Sequence, residues 1–140
     1  MLCGVDVDHP EGLAGHSDAD VAVHALMDAL LGAAGMGDIG ELFPDTDEAY
    51  RGASSVELLA QVVERLAWEG WAVENADLVV VCERPRLAPY RQAMREKLAA
   101  VLGVGPDAVG LKGTTSEGMG WEGRGEGISA TAVCLLSREG

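Results

Sequence analysis

Basic residues are scarce in this sequence, and their scarcity limits the partners that it can bind. Ten Lys and Arg residues stand against 23 Asp and Glu residues in a chain of 140, so the formal net charge is −13. Such a charge argues against a nucleic-acid partner, because proteins bind the phosphate backbone largely through Lys and Arg. It does not exclude a small phosphorylated ligand, since a local cation or metal offsets the negative charge within a cleft.

Long apolar runs and paired cysteines are also missing. No apolar run reaches the ~18 residues of a membrane-spanning helix, so we expect no membrane partner. Residues 1–10, MLCGVDVDHP, have the pattern of neither a signal peptide nor a transit peptide. Cys3, Cys82 and Cys134 are odd in number and widely spaced, which is typical of reduced packing residues. We therefore expect a cytoplasmic protein.

Two common catalytic motifs are absent as well. The glycines lack the G-x-x-x-x-G-K-[ST] spacing of a P-loop, and no G-x-S-x-G elbow occurs. No repeat, linker or low-complexity segment divides the chain. With 140 residues, of which 48% are hydrophobic, the sequence is long and apolar enough for a single domain over residues 1–140 with a real core.

The sequence that is present alternates strands and helices. Its apolar periodicity, caps and turn residues predict strands at Met1–Val7, Leu78–Cys82, Val109–Lys112 and Ile128–Leu136, and helices at Ala19–Ala34, Ser54–Trp68 and Tyr90–Leu102. This order predicts an α/β (α+β) two-layer sandwich, in which helices cover one face of a mixed sheet. Apolar residues on the other face need a partner, and self-association is the simplest one.

The first predicted helix carries the most informative polar residues. We expect Ser17 to cap it, with Asp18 and Asp20 in its first turn, and the Gly-rich loop that starts at residue 35 to end it. Asp20, His24 and Asp28 follow one another at i, i+4 and i+8, on one face. This triplet suits a metal-binding His with carboxylate partners, but the spacing alone favours a half-buried His that is hydrogen-bonded to its neighbours.

Three separated segments make a resemblance visible. They are HSDADVAVHALMDALLGAAGMGDIGELFPDTD at residues 16–47, ERPRLAPY at 83–90 and KGTTSEGMGWEGRGEG at 112–127. In this order they resemble the 2-C-methyl-D-erythritol 2,4-cyclodiphosphate synthase family of the non-mevalonate isoprenoid pathway. The resemblance implies a lyase that converts 4-diphosphocytidyl-2-C-methyl-D-erythritol 2-phosphate to the cyclodiphosphate and CMP. It also implies Zn²⁺ and Mg²⁺ as cofactors, and a homotrimer with active sites between subunits.

The resemblance also implies roles for individual residues. His24 would bind zinc and Glu117 magnesium, while His16 and Thr115 would stabilise the transition state. The implied substrate contacts are Ser17, Asp38, Ile39, Gly40, Phe43, Pro44, Asp45, Thr46, Asp47, Cys82, Pro85, Arg86, Leu87, Ala88, Thr114, Ser116, Glu117, Trp121 and Arg124. Asp28 would then assist the metal-bound imidazole. Arg124 and Glu126 suit an ion pair at a subunit interface as well as a substrate contact.

One part of the family pattern has no counterpart here. In the family an Asp-x-His segment supplies two of the three zinc ligands, and alignment through residues 16–24 finds no such segment. We therefore expect a domain that is truncated at its N-terminus relative to the family. The alternative function is a catalytically impaired trimer that binds a cytidine nucleotide without converting it.

Overall fold

The computed structural model describes residues 3, 5, 20–43, 54–82, 87–115, 117–120 and 128–138. Four helices and three strands lie in these ranges, with a 3₁₀ turn before and another after the last helix. In chain order they are α1 Val21–Ala33, α2 Ile39–Leu42, α3 Ser55–Trp68, β1 Trp71–Val81, a 3₁₀ turn Ala88–Tyr90, α4 Arg91–Leu102, a 3₁₀ turn Pro106–Ala108, β2 Val109–Thr114 and β3 Ser129–Arg138. No helix in these ranges is long and apolar enough to cross a membrane.

The three strands form a mixed sheet in the order β2-β1-β3. Strand β1 runs parallel to β2 and antiparallel to β3. Helix α1 packs on β3 and β1, α3 on β1, and α4 on β2. Ala76, Leu78 and Val80 alternate along β1 and are buried toward these helices. The predicted two-layer α/β arrangement, with helices on one face of a mixed sheet, is confirmed.

Helix α1 forms the centre of the core. Among its residues, those that are fully buried are Ala22, Val23, Leu26, Met27, Leu30 and Leu31. Its predicted start was wrong: the helix begins at Val21, and its N-cap is Asp20 rather than Ser17. The Asp20 Oδ1 atom accepts a hydrogen bond from the Val23 amide at 3.2 Å. Aspartate is a good cap, and the buried Asp20 carboxylate satisfies an amide of the first turn that has no partner within the helix.

Helix α3 follows its local sequence signals closely. Ser54 Oγ accepts from the Glu57 amide at 3.1 Å, and the Glu57 carboxylate accepts from the Ser54 amide at 3.4 Å. This is the predicted capping box, and it is confirmed. The helix ends at Trp68, and Gly70 turns the chain with a φ of +88°. Helix α4 likewise ends at a left-handed glycine, Gly103, with a φ of +75°.

Two elements differ from the prediction. Strand β1 starts at Trp71 rather than at Leu78, because its first half pairs with β3 from Trp71↔Arg138 onward, across an irregularity between Val73 and Asn75. The segment after α1, predicted as a loop, contains the helical turn α2, which Asp38 caps. Of the predicted strand at residues 1–7, the structure describes only residue 3, in a turn, and residue 5, in an isolated bridge.

Candidate active site

One group of expected substrate contacts lies where β1 and β2 end. The Cys82 amide donates to the Thr114 carbonyl oxygen at 2.9 Å, which continues the parallel pairing beyond Val81↔Thr114. Leu87 is buried, and its Cβ would lie 3.4 Å from a Cβ at Gly113. Ala88 follows directly and opens a 3₁₀ turn. The carboxyl ends of two parallel strands and the turn before α4 therefore converge, as at the ligand-binding edge of many α/β sheets.

The loop after β2 presents a hydroxyl and a carboxylate to solvent. Thr115 Oγ1 accepts a hydrogen bond from the Glu117 amide at 3.3 Å. Glu117 holds a left-handed backbone, with a φ of +56°, which is uncommon for a residue other than glycine. A hydroxyl has one hydrogen to donate besides its acceptor pairs. The Thr115 hydroxyl thus anchors the Glu117 backbone as an acceptor and keeps its own hydrogen for another partner.

A second group lies on α2. Asp38 Oδ1 accepts from the Glu41 amide at 2.9 Å and caps this single turn. A Cβ at Gly40 would lie 3.3 Å from the same carboxylate oxygen, so the glycine leaves room for it. Ile39 and Phe43 are half-buried and pack against the core. The Asp38 carboxylate is exposed, and the described residues offer no hydrogen bond to its second oxygen that would compete with the cap.

The expected zinc ligand, His24, is half-buried on α1, and its flanking carboxylates serve the backbone. Asp20 caps the helix, while Asp28 Oδ1 accepts from the Ile39 amide at 2.9 Å. The two carboxylates of the predicted triplet therefore act at different places, Asp20 at the start of α1 and Asp28 at the start of α2. Burial, and then the nearby Asp20 carboxylate, raise the pKa of the Cys3 thiol. In the part of the chain that is described, no three His, Cys, Asp or Glu side chains group closely enough to hold a metal ion.

Lys112, at the end of the strand predicted from the sequence, has a defined partner. Its Nζ lies 2.6 Å from Asp77 Oδ1, with both side chains about half exposed. A Cβ at Gly110 would lie 2.5 Å from that carboxylate oxygen, so only glycine lets Asp77 lie across β2. Sequence analysis missed this pair, because its members are 35 positions apart and carry no shared local signal.

Several expected site residues lie outside the described ranges. They are His16, Ser17, Pro44, Asp45, Thr46, Asp47, Pro85, Arg86, Ser116, Trp121 and Arg124. Their assignments stay predictions from the resemblance.

Comparison with known proteins decides the family. The model of the YgbB family matches residues 1–137. The chain belongs to the YgbB family. A relative from Methylococcus capsulatus, named 2-C-methyl-D-erythritol 2,4-cyclodiphosphate synthase, is 59% identical over 138 residues, which are 99% of this chain and 87% of the relative. The resemblance inferred from the three sequence segments is confirmed.

Solved structures of the YgbB family agree with this assignment. The bifunctional IspDF from Campylobacter jejuni superposes with a TM-score of 0.92 at 40% identity, over 99% of this chain and 38% of that one. A 2C-methyl-D-erythritol-2,4-cyclodiphosphate synthase described as the CDP-bound form gives a TM-score of 0.87 at 40% identity, over 98% of this chain and 89% of that one. The fold described above is thus the fold of solved cyclodiphosphate synthases.

Proposed function

We propose that this chain is a 2-C-methyl-D-erythritol 2,4-cyclodiphosphate synthase of the non-mevalonate isoprenoid pathway. It converts 4-diphosphocytidyl-2-C-methyl-D-erythritol 2-phosphate to the cyclodiphosphate and releases CMP. The observation that carries this conclusion is the 59% identity to a relative of that name over 99% of the chain. The reaction is an internal phosphoryl transfer, in which the 2-phosphate attacks the β-phosphorus and CMP leaves.

The proposed nucleotide pocket lies at the ends of β1 and β2. Backbone groups from Cys82 to Ala88, with Thr114 beside them, would read the cytosine base. A solved relative described as the CDP-bound form supports a cytidine nucleotide as the ligand. Asp38 has one carboxylate oxygen engaged by Glu41 and one left to accept from a ribose hydroxyl. The base and ribose together would hold the diphosphate in place for the attack.

Thr115 is the described residue best suited to stabilise charge on the phosphates. Its oxygen already accepts from the Glu117 amide, which leaves its O–H available to donate to a further acceptor such as a phosphate oxygen. In phosphoryl transfer the protein does little covalent chemistry. The rate depends instead on the positioning of the substrate and on hydrogen-bond donors that point at the charge developing on the phosphate oxygens. His16, which lies outside the described ranges, is proposed as the second such group.

The YgbB family is metal-dependent, and we propose Zn²⁺ and Mg²⁺ as the ions. The half-buried imidazole of His24 suits zinc, and the exposed carboxylate of Glu117 suits magnesium. His24 would be a single ligand among the described residues, in which no three His, Cys, Asp or Glu side chains group closely enough to hold a metal ion. Bound divalent cations would supply positive charge at the diphosphate. The cytoplasmic location expected from the sequence also stays a prediction.

We propose further that the working unit is a homotrimer with active sites between subunits. The sheet face away from the helices, which we call the open face, carries Val79 and Val81 of β1 and Val133 and Leu135 of β3. Val133 and Leu135 are 67% and 56% exposed. Large exposed apolar side chains grouped on one strand are typical of an interface. Copies of the same chain would cover this face and bring one chain's α2 toward another chain's nucleotide pocket.

Turnover of the substrate tests the proposed function. The chain, incubated with the diphosphocytidyl substrate, Zn²⁺ and Mg²⁺, should release CMP and a cyclic diphosphate, followed by ³¹P NMR. Linear hydrolysis products alone would contradict a cyclase. CDP binding by calorimetry without any product would instead support the alternative, a nucleotide-binding trimer.

Two matched variants test the role of Thr115. Thr115→Ser keeps the hydroxyl and should keep most of the activity. Thr115→Val keeps the shape and removes the donor, which should lower kcat about 10²–10³-fold if this hydroxyl stabilises the transition state. Equal activity of the two variants would remove Thr115 from the mechanism.

A further inference from the structure

Asp28 forms a hydrogen bond that joins two parts of the proposed site. Its Oδ1 accepts from the Ile39 amide at 2.9 Å, across eleven positions of the chain. The two residues lie on either side of a turn in which Gly35 and Gly37 have φ values of +70° and +89°. The bond therefore connects the last half of α1 directly to the first residue of α2.

Helix α2 depends on such an outside contact. Four residues form one helical turn, and a single turn gains too few hydrogen bonds to be stable by itself. The Asp38 cap is local to α2 and does not set where the turn lies relative to α1. Ile39 and Phe43 pack against the core, but apolar contacts are not directional. The hydrogen bond between Asp28 and the Ile39 amide sets the orientation of α2 relative to α1, because a hydrogen bond constrains both distance and angle.

The position of Asp28 on α1 gives this bond a functional meaning. His24, the expected zinc ligand, lies one turn earlier on the same face, and Ile39 is flanked by the expected substrate contacts Asp38, the proposed ribose ligand, and Gly40. We propose that Asp28 is a positioning residue, which orients the ribose-binding turn against the helix that carries His24. This inference rests on the proposed function and adds a residue to it. It also replaces the sequence-based expectation that Asp28 assists the metal-bound imidazole.

The two roles of Asp28 predict different losses. A carboxylate that supports a metal-bound His contributes to metal affinity, and removing it typically costs 10–100-fold there. A carboxylate that holds α2 contributes to nucleotide affinity and leaves metal content unchanged. Asp28→Asn separates the charge from the geometry, because an amide oxygen still accepts from the Ile39 amide.

The experiment compares wild type, Asp28→Ala and Asp28→Asn, with Asp107→Ala as a matched control at an exposed aspartate away from α2. We expect Asp28→Ala to weaken CDP binding about tenfold by calorimetry, as the loss of a hydrogen bond to a charged group does. The same variant should raise KM more than it lowers kcat. Hydrogen exchange at the Ile39 amide should accelerate, and zinc per chain should stay at the wild-type value. Asp28→Asn should recover most of the CDP affinity.

Each result either supports or overturns the inference. Unchanged CDP affinity in Asp28→Ala overturns it, as does a loss of zinc in both Asp28 variants with CDP binding intact. CDP binding and turnover of the wild-type protein test the proposed function separately from the comparison of the Asp28 variants. A wild type that binds CDP but forms no cyclic product contradicts the synthase and leaves the comparison of Asp28 variants valid. A wild type that binds no CDP overturns both.

Discussion

A charge placed on the open face should separate the proposed trimer. Fully burying a Val or Leu side chain stabilises by about 1.5–3 kcal/mol. Val133 and Leu135 are 67% and 56% exposed in the single chain, so covering them stabilises assembly by roughly 2–4 kcal/mol per chain. Val133→Lys removes part of this gain and adds an ammonium whose burial costs several kcal/mol more. We expect a folded monomer.

The choice of lysine keeps the fold intact. Val133 lies opposite Asp77 in the antiparallel pair, so an aspartate there would face a like charge across the strands. A lysine avoids that repulsion, and because the Asp77 carboxylate already pairs with Lys112, the new ammonium would have to share it when the face is covered. Trp68→Asp is the control, because Trp68 is 73% exposed but lies on α3, in the helix layer.

Light scattering at micromolar concentration, with circular dichroism as the check on folding, measures the outcome. Wild type and the α3 control should have about three times the 14.6 kDa chain mass, and Val133→Lys should have the mass of one chain. Turnover should fall with the mass if sites are shared between subunits. A monomeric wild type, or a Val133→Lys trimer, would refute the reasoning from the open face.

Three further predictions concern the stability of the single chain. Ser54→Ala removes the capping box with Glu57 and should lower the free energy of unfolding in urea by about 1 kcal/mol, whereas Ser54→Asp should not; equal losses would contradict the cap. Gly37→Ala places a side chain at a φ of +89° and against the Glu41 carboxylate, so it should cost about 1–2 kcal/mol or more, with Gly32→Ala, in open space, as its harmless control. Burial raises the pKa of the Cys3 thiol, so the stability that the protonated thiol provides is full below the unfolded pKa and falls at higher pH, where the unfolded chain ionises. Cys3→Ala should therefore flatten the decline of the unfolding free energy, measured by urea titration, above about pH 9. An unchanged dependence of that free energy on pH would argue against this role of Cys3.

Local signals predicted the helices well and the sheet only in part. The Ser-x-x-Glu capping box placed α3 correctly, because its hydrogen bonds join residues three apart. The first half of β1 was missed, because Glu74, Asn75 and Asp77 make it polar and its strand pairing comes from β3, about sixty positions away. The pairing register of β1 with β3 depends on tertiary structure, and a short stretch of sequence does not encode it.

The candidate site shows the same division. The resemblance implied that Cys82 and Thr114 contact the same substrate, and the hydrogen bond from the Cys82 amide to the Thr114 carbonyl oxygen makes them neighbours; their contact with a nucleotide stays a prediction. The Asp-x-x-Glu spacing of residues 38–41 was a visible signal for α2, since an aspartate cap is followed by a glutamate in the first turn. The bond between Asp28 and Ile39 had no such signal, because the turn between them sets its geometry.

Helix α1 contributes to both the core and the candidate site, because it has buried apolar side chains and also three of the polar side chains discussed above. Its apolar side holds Leu26, Leu30 and their buried neighbours against the sheet, so its axis is fixed by packing. The polar side chains on the other side of α1 are therefore attached to a backbone whose position relative to the sheet is fixed. Asp20 satisfies the helix start, and Asp28 ties α2 to the helix end, with His24 between them. If the proposed roles of His24 and Asp38 hold, a single packed helix would orient both the metal ligand and the ribose-binding turn.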